Sequence, residues 1–175
     1  MPIESALVVL IPEAESLIKT FRERFDPYAD TSVPAHVTIL YPFLPPGEIT
    51  AEVITTLQEL FLKTPGFTIS FSKIERFPDT LYLAPEPAEP FQRLTEAIVK
   101  QFPNTPPYSG EFAENIPHLT VAQVNDLRRI DEIEANFHEA ASNSLPIHSR
   151  VNTILLMEKS NLYWKVRAQF PLQGD

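Results

Sequence analysis

A short pattern that occurs twice limits this chain more than any other feature: Pro34-Ala35-His36-Val37-Thr38-Ile39-Leu40 and Ile116-Pro117-His118-Leu119-Thr120-Val121. Each copy is a proline-led His-x-Thr set among aliphatic residues, which reads as a short buried strand. Side chains on a strand alternate between its two faces. His36 and Thr38 therefore project together, with Val37 and Ile39 behind them. His118 and Thr120 do the same in front of Leu119 and Val121. Two such strands side by side would hold two imidazoles and two hydroxyls over one small space, a set of groups that suits a phosphodiester. With 4 histidines and 13 threonines in 175 residues, chance supplies about 0.3 matches to His-x-Thr. One copy would mean little, whereas two in matching surroundings point to a shared role. His138 and His148 lack the pattern.

The rest of the chain repeats around these motifs. Ala6–Ile11 reads as an aliphatic strand, and a helix over about 12–25 follows with Leu17, Ile18, Phe21 and Phe25 on one face. After the first His strand come a helix near 49–62, an alternating strand over 67–72, a turn at Pro78-Asp79 and a strand over 80–84. A helix at about 88–101 leads through a proline-rich loop to the second His strand, 118–124. Asn125 or Asp126 can cap the next helix, whose core face is Leu127, Ile130, Ile133 and Phe137. Two strands, about 147–158 and 162–170, close the chain around a turn at Ser160-Asn161. Pro12-Glu13 and Pro85-Glu86 each open a helix and stand 73 residues apart, while the two His-x-Thr motifs stand 82 apart. The order strand–helix–His strand–helix–strand thus occurs twice, in units of roughly 4–75 and 80–170. It predicts an α+β fold: one bilobed domain over 1–175, with two pseudo-twofold-related lobes of antiparallel sheet plus helices. Each lobe gives one His strand to a central cleft.

Composition narrows the chemistry. Only 4 glycines, widely scattered, rule out a glycine-rich phosphate cradle or a dinucleotide fingerprint, and 18 prolines punctuate the loops instead. The chain has no cysteine, which excludes disulfides, thiolate nucleophiles and cysteine-based zinc sites. A net charge of −9 argues against extensive nucleic-acid binding, though a small anionic substrate needs only a local site. No run approaches the ~20 apolar residues of a membrane span. The N-terminus lacks a signal-peptide layout, so a cytoplasmic address is expected, and the chain is expected to be a monomer. Neither motif has a carboxylate at ligand spacing, so no metal and no cofactor is expected.

The motifs carry a resemblance. Pro-Ala-His-Val-Thr-Ile-Leu-Tyr-Pro-Phe (34–43) and Pro-His-Leu-Thr-Val-Ala (117–122) closely resemble the two signatures of the 2H phosphoesterase superfamily. That group includes the bacterial 2′-5′ RNA ligase-like proteins and the cyclic phosphodiesterases. The resemblance implies a bilobed fold around a groove and metal-independent action on 2′,3′-cyclic or 2′-5′ nucleotide phosphodiesters. It also implies catalytic positions at His36, Thr38, His118 and Thr120. Some RNA-ligating branches carry a basic residue just past the second motif, where this chain has Ala122-Gln123, so a grip on RNA phosphates is expected to be missing.

The residues support such chemistry independently. Opening a cyclic phosphodiester needs a base for water and an acid for the departing ribose oxygen, and two imidazoles of ordinary pKa near 6.5 can divide those tasks at neutral pH. Threonine hydroxyls can donate to non-bridging oxygens. Tyr41, Phe43, Tyr82 and Tyr108 are the expected substrate-binding aromatics, with Phe112, Tyr163 and Trp164 as further stacking candidates. Tyr82 stands first because Leu81 and Leu83 take the other face of its strand. Arg76, Arg150, Lys165 and Arg167 are candidate cleft cations. Lys63-Thr64-Pro65-Gly66 has the shape of an adenylation motif but reads better as a helix end. The partner expected is a small nucleotide or an RNA-end phosphodiester. The alternatives are a non-catalytic phosphate- or nucleotide-binding module, and a 2′-5′ RNA ligase acting on RNA ends.

Overall fold

The computed structural model describes residues 3–27, 33–111 and 114–174. Among the described residues, eight strands and four α-helices follow one another as β1 (Glu4–Leu10), α1 (Pro12–Phe25), β2 (His36–Leu40), α2 (Ala51–Leu62), β3 (Phe67–Arg76), β4 (Thr80–Glu86), α3 (Glu89–Gln101), β5 (Leu119–Gln123), α4 (Leu127–Ala141), β6 (Ile147–Val151), β7 (Thr153–Ser160) and β8 (Tyr163–Pro171). The strands form two antiparallel sheets of four, ordered β2-β1-β7-β8 and β5-β4-β3-β6. The α+β architecture with one His strand in each sheet is as the repeat predicts.

Local chemistry explains the helix limits. α1 has Pro12 in its first turn with Glu13 and Glu15, and Arg22 and Arg24 in its last, an arrangement that complements the helix dipole. α2 is capped by Thr50, whose hydroxyl accepts from the Val53 amide at 3.3 Å. α4 is capped by Asp126, which accepts from the Arg128 amide at 3.0 Å. Leu127 belongs to the cap and not to the core face: it is 55% exposed, while Ile130, Ile133 and Phe137 are buried.

The strand pairings hold a feature that the linear repeat does not show. β3 follows the first repeat's helices yet joins the second sheet, beside β4, and β7 of the second repeat joins the first sheet, beside β1. The single strand expected over 147–158 is therefore two. It breaks at Asn152, where the chain leaves one sheet as β6 and enters the other as β7. Gly66 serves the other crossing. A Cβ there would lie 3.0 Å from the Val151 carbonyl oxygen, so a side chain would require the β6 backbone to give by a few tenths of an ångström. Lys63 caps the end of α2, in keeping with a helix terminus.

One hydrophobic cluster spans both sheets, with Leu7, Val9, Val37 and Ile39 from one and Leu81, Leu83, Leu119 and Val121 from the other. α1 packs over β5 and α3 over β2, so each repeat's first helix covers the other repeat's His strand. Ile18 of α1 is fully buried there, and its truncation to alanine would cost about 2–5 kcal/mol. A smaller cluster (Ala6, Val8, Val33, Leu155 and Met157, with Leu10, Tyr41 and Trp164 against it) includes the β1 residues alternate to Leu7 and Val9. It therefore lies on the face that carries His36 and Thr38. No helix among the described residues is long and apolar enough to cross a membrane.

Candidate active site

β2 and β5 run close to one another, which brings the two His-x-Thr motifs together. Both are set by the same backbone device. In the first sheet Leu10 faces His36 and Val8 faces Thr38, but the next pair is Leu7 with Leu40, so Ile39 is an extra residue. In the second sheet Leu83 faces Leu119 and Tyr82 faces Thr120, but the next pair is Leu81 with Ala122, so Val121 is extra. A bulge one residue after each threonine turns two successive residues into the core: Ile39 with Leu40, and Val121 with Ala122. The polar face of each strand stops at the hydroxyl. The displaced Ile39 carbonyl is satisfied by the buried Thr95 hydroxyl of α3, at 2.7 Å.

The imidazoles are fixed alike. His36 Nδ1 lies 2.7 Å from the Pro34 carbonyl oxygen, and His118 Nδ1 lies 2.8 Å from that of Ile116. A carbonyl can only accept, so each Nδ1 carries the proton and each Nε2 keeps a lone pair for the cleft. All four motif side chains are half-buried. Burial pushes the His36 imidazole down to about 4. The Pro34 carbonyl partly offsets this, Arg22 and His118 add to it and Asp26 opposes it. His118 is lowered too, again chiefly by burial and against the pull of the Ile116 carbonyl. The sequence predicts two histidines of ordinary pKa, whereas burial shifts both toward the neutral form.

Their surroundings differ. His118 stands perpendicular to Phe77, with ring centroids 5.2 Å apart, and 5.6 Å from Tyr82, while Phe77 and Tyr82 stack at 4.5 Å. Tyr82 is only 7% exposed, so it walls His118 more than it offers a free stacking surface, and burial raises its phenol pKa. On the His36 side, Tyr41 lies 6.2 Å from both Tyr108 and Trp164, and its hydroxyl donates to Glu4 at 2.6 Å. The chain reaches that position through a left-handed turn, with φ of 51° at Tyr108, 57° at Ser109 and 78° at Gly110. The Tyr108 amide then donates to the Tyr41 carbonyl at 2.6 Å. Backbone of this kind is costly outside glycine and persists where its surroundings hold it.

The structure does not bring every expected residue to the cleft. Phe43 is 5% exposed and meets Phe102 edge-on at 5.2 Å; core packing removes it from the ligand-facing set. Arg76 is engaged by Asp131 at 2.6 Å, and Arg167 by Glu158 and by the carbonyls of Pro46 and Ile49. Arg150 reaches Thr68 at 3.4 Å, and Lys165 and Tyr163 are exposed on β8. Phe112 lies outside the described residues. Conversely, Phe77, Arg22 and Thr95 enter the site's surroundings without a signal in sequence, because each acts across a fold contact and not within a motif. Cavities of about 540 Å³ on α3 and about 300 Å³ between α1 and α4 are lined by neither histidine. Among the described residues, no three histidine or carboxylate groups are placed to hold a metal ion.

Known proteins agree with this architecture. The TT0787 protein of Thermus thermophilus has the same fold, at TM-score 0.65 and 19% identity over 100% of both chains. So does E. coli LigT in its complex with 3′-AMP, at TM-score 0.59 and 17% identity over 99% of both. A Bacillus pumilus protein named "Putative phosphoesterase" is 32% identical over 123 residues, 66% of this chain and 68% of its own. The model of the 2′-5′ RNA ligase superfamily matches residues 11–161. On that match the chain belongs to the 2′-5′ RNA ligase (2H phosphoesterase) superfamily.

Proposed function

We propose that this protein is a metal-independent phosphodiesterase that opens 2′,3′-cyclic or 2′-5′ nucleotide phosphodiesters by two-histidine acid–base catalysis. One observation carries the reading: two imidazoles on neighbouring strands, each with Nδ1 tied to a carbonyl and Nε2 left for the cleft, each two residues before a threonine. Support also comes from the phosphoesterase naming of relatives and from LigT structures complexed with 3′-AMP, ATP and NADP+.

His36, the more depressed and the one beside Arg22, is the base. Its Nε2 takes a proton from water as the oxygen attacks phosphorus. The bond from phosphorus to one ribose oxygen breaks, and His118 Nε2 delivers its proton to that oxygen, giving a monophosphate ester. The phosphate's own negative charge supplies the condition for His118 to be protonated, because an adjacent anion raises an imidazole's pKa. Thr38 and Thr120 donate to the non-bridging oxygens as charge builds there. Tyr41, Tyr108 and Trp164 offer an aromatic surface for a base, and Tyr82 with Phe77 forms the opposite wall.

The test is turnover of 2′,3′-cyclic nucleotides, 2′-5′ dinucleotides and RNA with cyclic-phosphate ends. Hydrolysis should persist after exhaustive chelation, and the small nucleotides should be processed better than long RNA. A protein that binds these nucleotides without turning any of them over would be a binding module instead. Turnover that returns only with added zinc or manganese would overturn the metal-independent scheme.

A further inference from the structure

We infer that Glu15 on α1 is a positioning residue for His36, and that Gln92 on α3 positions His118 through a hydrogen bond of opposite polarity. The inference rests on the two-histidine reading above. Because each imidazole hangs from a carbonyl two residues upstream, it is placed only as accurately as that short leader. The leader of His36 is pinned to α1 at several points. Arg22 Nη1 donates to the Val33 carbonyl at 2.9 Å, the Ala35 amide donates to Glu15 Oε2 at 2.6 Å, and the Ile11 amide donates to the Ala35 carbonyl at 2.8 Å.

The leader of His118 cannot be held in that way. The residue before this histidine is Pro117, which has no N–H, so a carboxylate on the covering helix would find no donor at the position that Ala35 fills in the first motif. The helix offers an amide instead: Gln92 Nε2 donates to the Asn115 carbonyl at 3.0 Å. Asn115 precedes His118 by three residues, just as Val33 precedes His36. Glu15 and Gln92 correspond as well. Each follows the first fully inward residue of its helix, Ala14 or Phe91. Acceptor and donor are thus matched to what each leader's backbone leaves open, which is the pattern expected if holding the leader is the task. Glu15 acts through the backbone. Among the described residues, the charged or titratable groups that act on His36 are Arg22 of α1, Asp26 at its C-terminal cap and His118 of the other motif.

The experiment combines kcat and KM on 2′,3′-cyclic AMP with NMR titration of the two imidazole Cε1–Hε1 signals in the free protein. Glu15→Gln keeps an acceptor at the same reach and should hold kcat within about 3-fold. Glu15→Asp withdraws it by one methylene and should lose about 10- to 10²-fold in kcat with KM little changed, the usual penalty for a misplaced group. It should move the His36 ring signals and leave those of His118. Gln92→Glu, which sets a carboxylate against a carbonyl, should move His118 and not His36. Wild-type kcat and unmoved ring signals in Glu15→Asp would overturn the inference, as would Glu15→Gln proving as damaged as Glu15→Asp, since charge and not reach would then matter. His36→Ala separates the two levels: full turnover in that variant would refute the two-histidine reading, while the ring signals would still judge the positioning.

Discussion

Val8 and Tyr82 occupy the same place in their sheets: each faces the threonine of a His-x-Thr strand, at the step where a bulge begins. The backbone around them is the same in both halves, down to the carbonyl that holds each imidazole. The side chains are not. Val8 puts a small aliphatic side chain opposite Thr38, and the buried pair Arg22–Asp26, 3.1 Å apart, supplies charges near His36. Tyr82 and Phe77 give His118 an aromatic surround, and burial is the chief cause that lowers its pKa. A guanidinium disfavours an imidazolium beside it, whereas aromatic rings can accommodate one. The difference teaches that the two halves share a backbone geometry and differ in electrostatics, the asymmetry that the proposed division into base and acid requires.

Removing either histidine is the most damaging way to break this comparison. His36→Ala and His118→Ala should each lose about 10² to 10⁴ in turnover, the usual worth of a positioned proton acceptor or donor. The pH profile assigns the roles. Since both imidazoles lie below their ordinary 6.5, kcat/KM should peak on the acid side of that value. It should rise as His36 loses its proton near 4 and fall as His118 loses its own. These limbs belong to the pair as a whole. In kcat, measured with the anionic phosphate bound, the falling limb should move to higher pH. A kcat/KM optimum above about pH 7 would contradict the assignment.

Next in size are the hydroxyls. Thr38→Val and Thr120→Val should cost about 10- to 10²-fold in kcat, because each removes one donor to the phosphate and no proton transfer. Equal losses would mean the two halves grip the phosphate alike, and unequal losses would identify the oxygen that gains more charge.

Smaller still is the effect of making the second half resemble the first. Tyr82→Val should lower turnover by roughly 2- to 5-fold and pull the falling limb to lower pH, in line with an aromatic contribution of about 0.5–1 kcal/mol to the imidazolium. Tyr82→Phe should keep the limb in place. A stability measurement sharpens the other half. The folded pKa of His36, about 4, lies below its unfolded value of 6.5, so the unfolded chain binds the proton first. The stabilisation is complete above pH 6.5 and is lost as pH falls from there toward 4. The Tm of the wild type should therefore drop more steeply over that interval than the Tm of His36→Gln.

Much of this was legible in the chain itself. Alternation around His36 and His118, the proline that opens α1 and the capping aspartate of α4 are local signals, and local signals place strands and helix ends well. What escaped depends on partners distant in sequence. Asn152 looks like one more polar residue within a long strand, and only the pairings of β6 and β7 show that the chain changes sheets there. Phe43 follows a motif closely enough to suggest a ligand contact, but its ring is claimed by Phe102. Arg22 sits on a helical face otherwise made of Leu17, Ile18, Phe21 and Phe25, where a charge reads as a solvated edge. Its burial follows from the Val33 carbonyl and Asp26, neither of which periodicity can supply. The pairing of Glu15 with an amide, and of Gln92 with a carbonyl, becomes meaningful only once Pro117 is seen to occupy the place of Ala35.

The crossing of β3 and β7 between the sheets bears on how such a molecule could arise. A chain of one repeat would set its first two strands in one sheet and offer its third to another. It could fill the place beside the first strand of each sheet only by trading third strands with a second copy, as a swapped dimer. Such a dimer must carry the same residue on both sides of its axis, so one surround would have to serve both histidines. Joining two copies end to end lifts that restriction and makes their encounter intramolecular. Val8 could then stay small while Tyr82 grew a ring, and Pro117 could replace an alanine on one side alone.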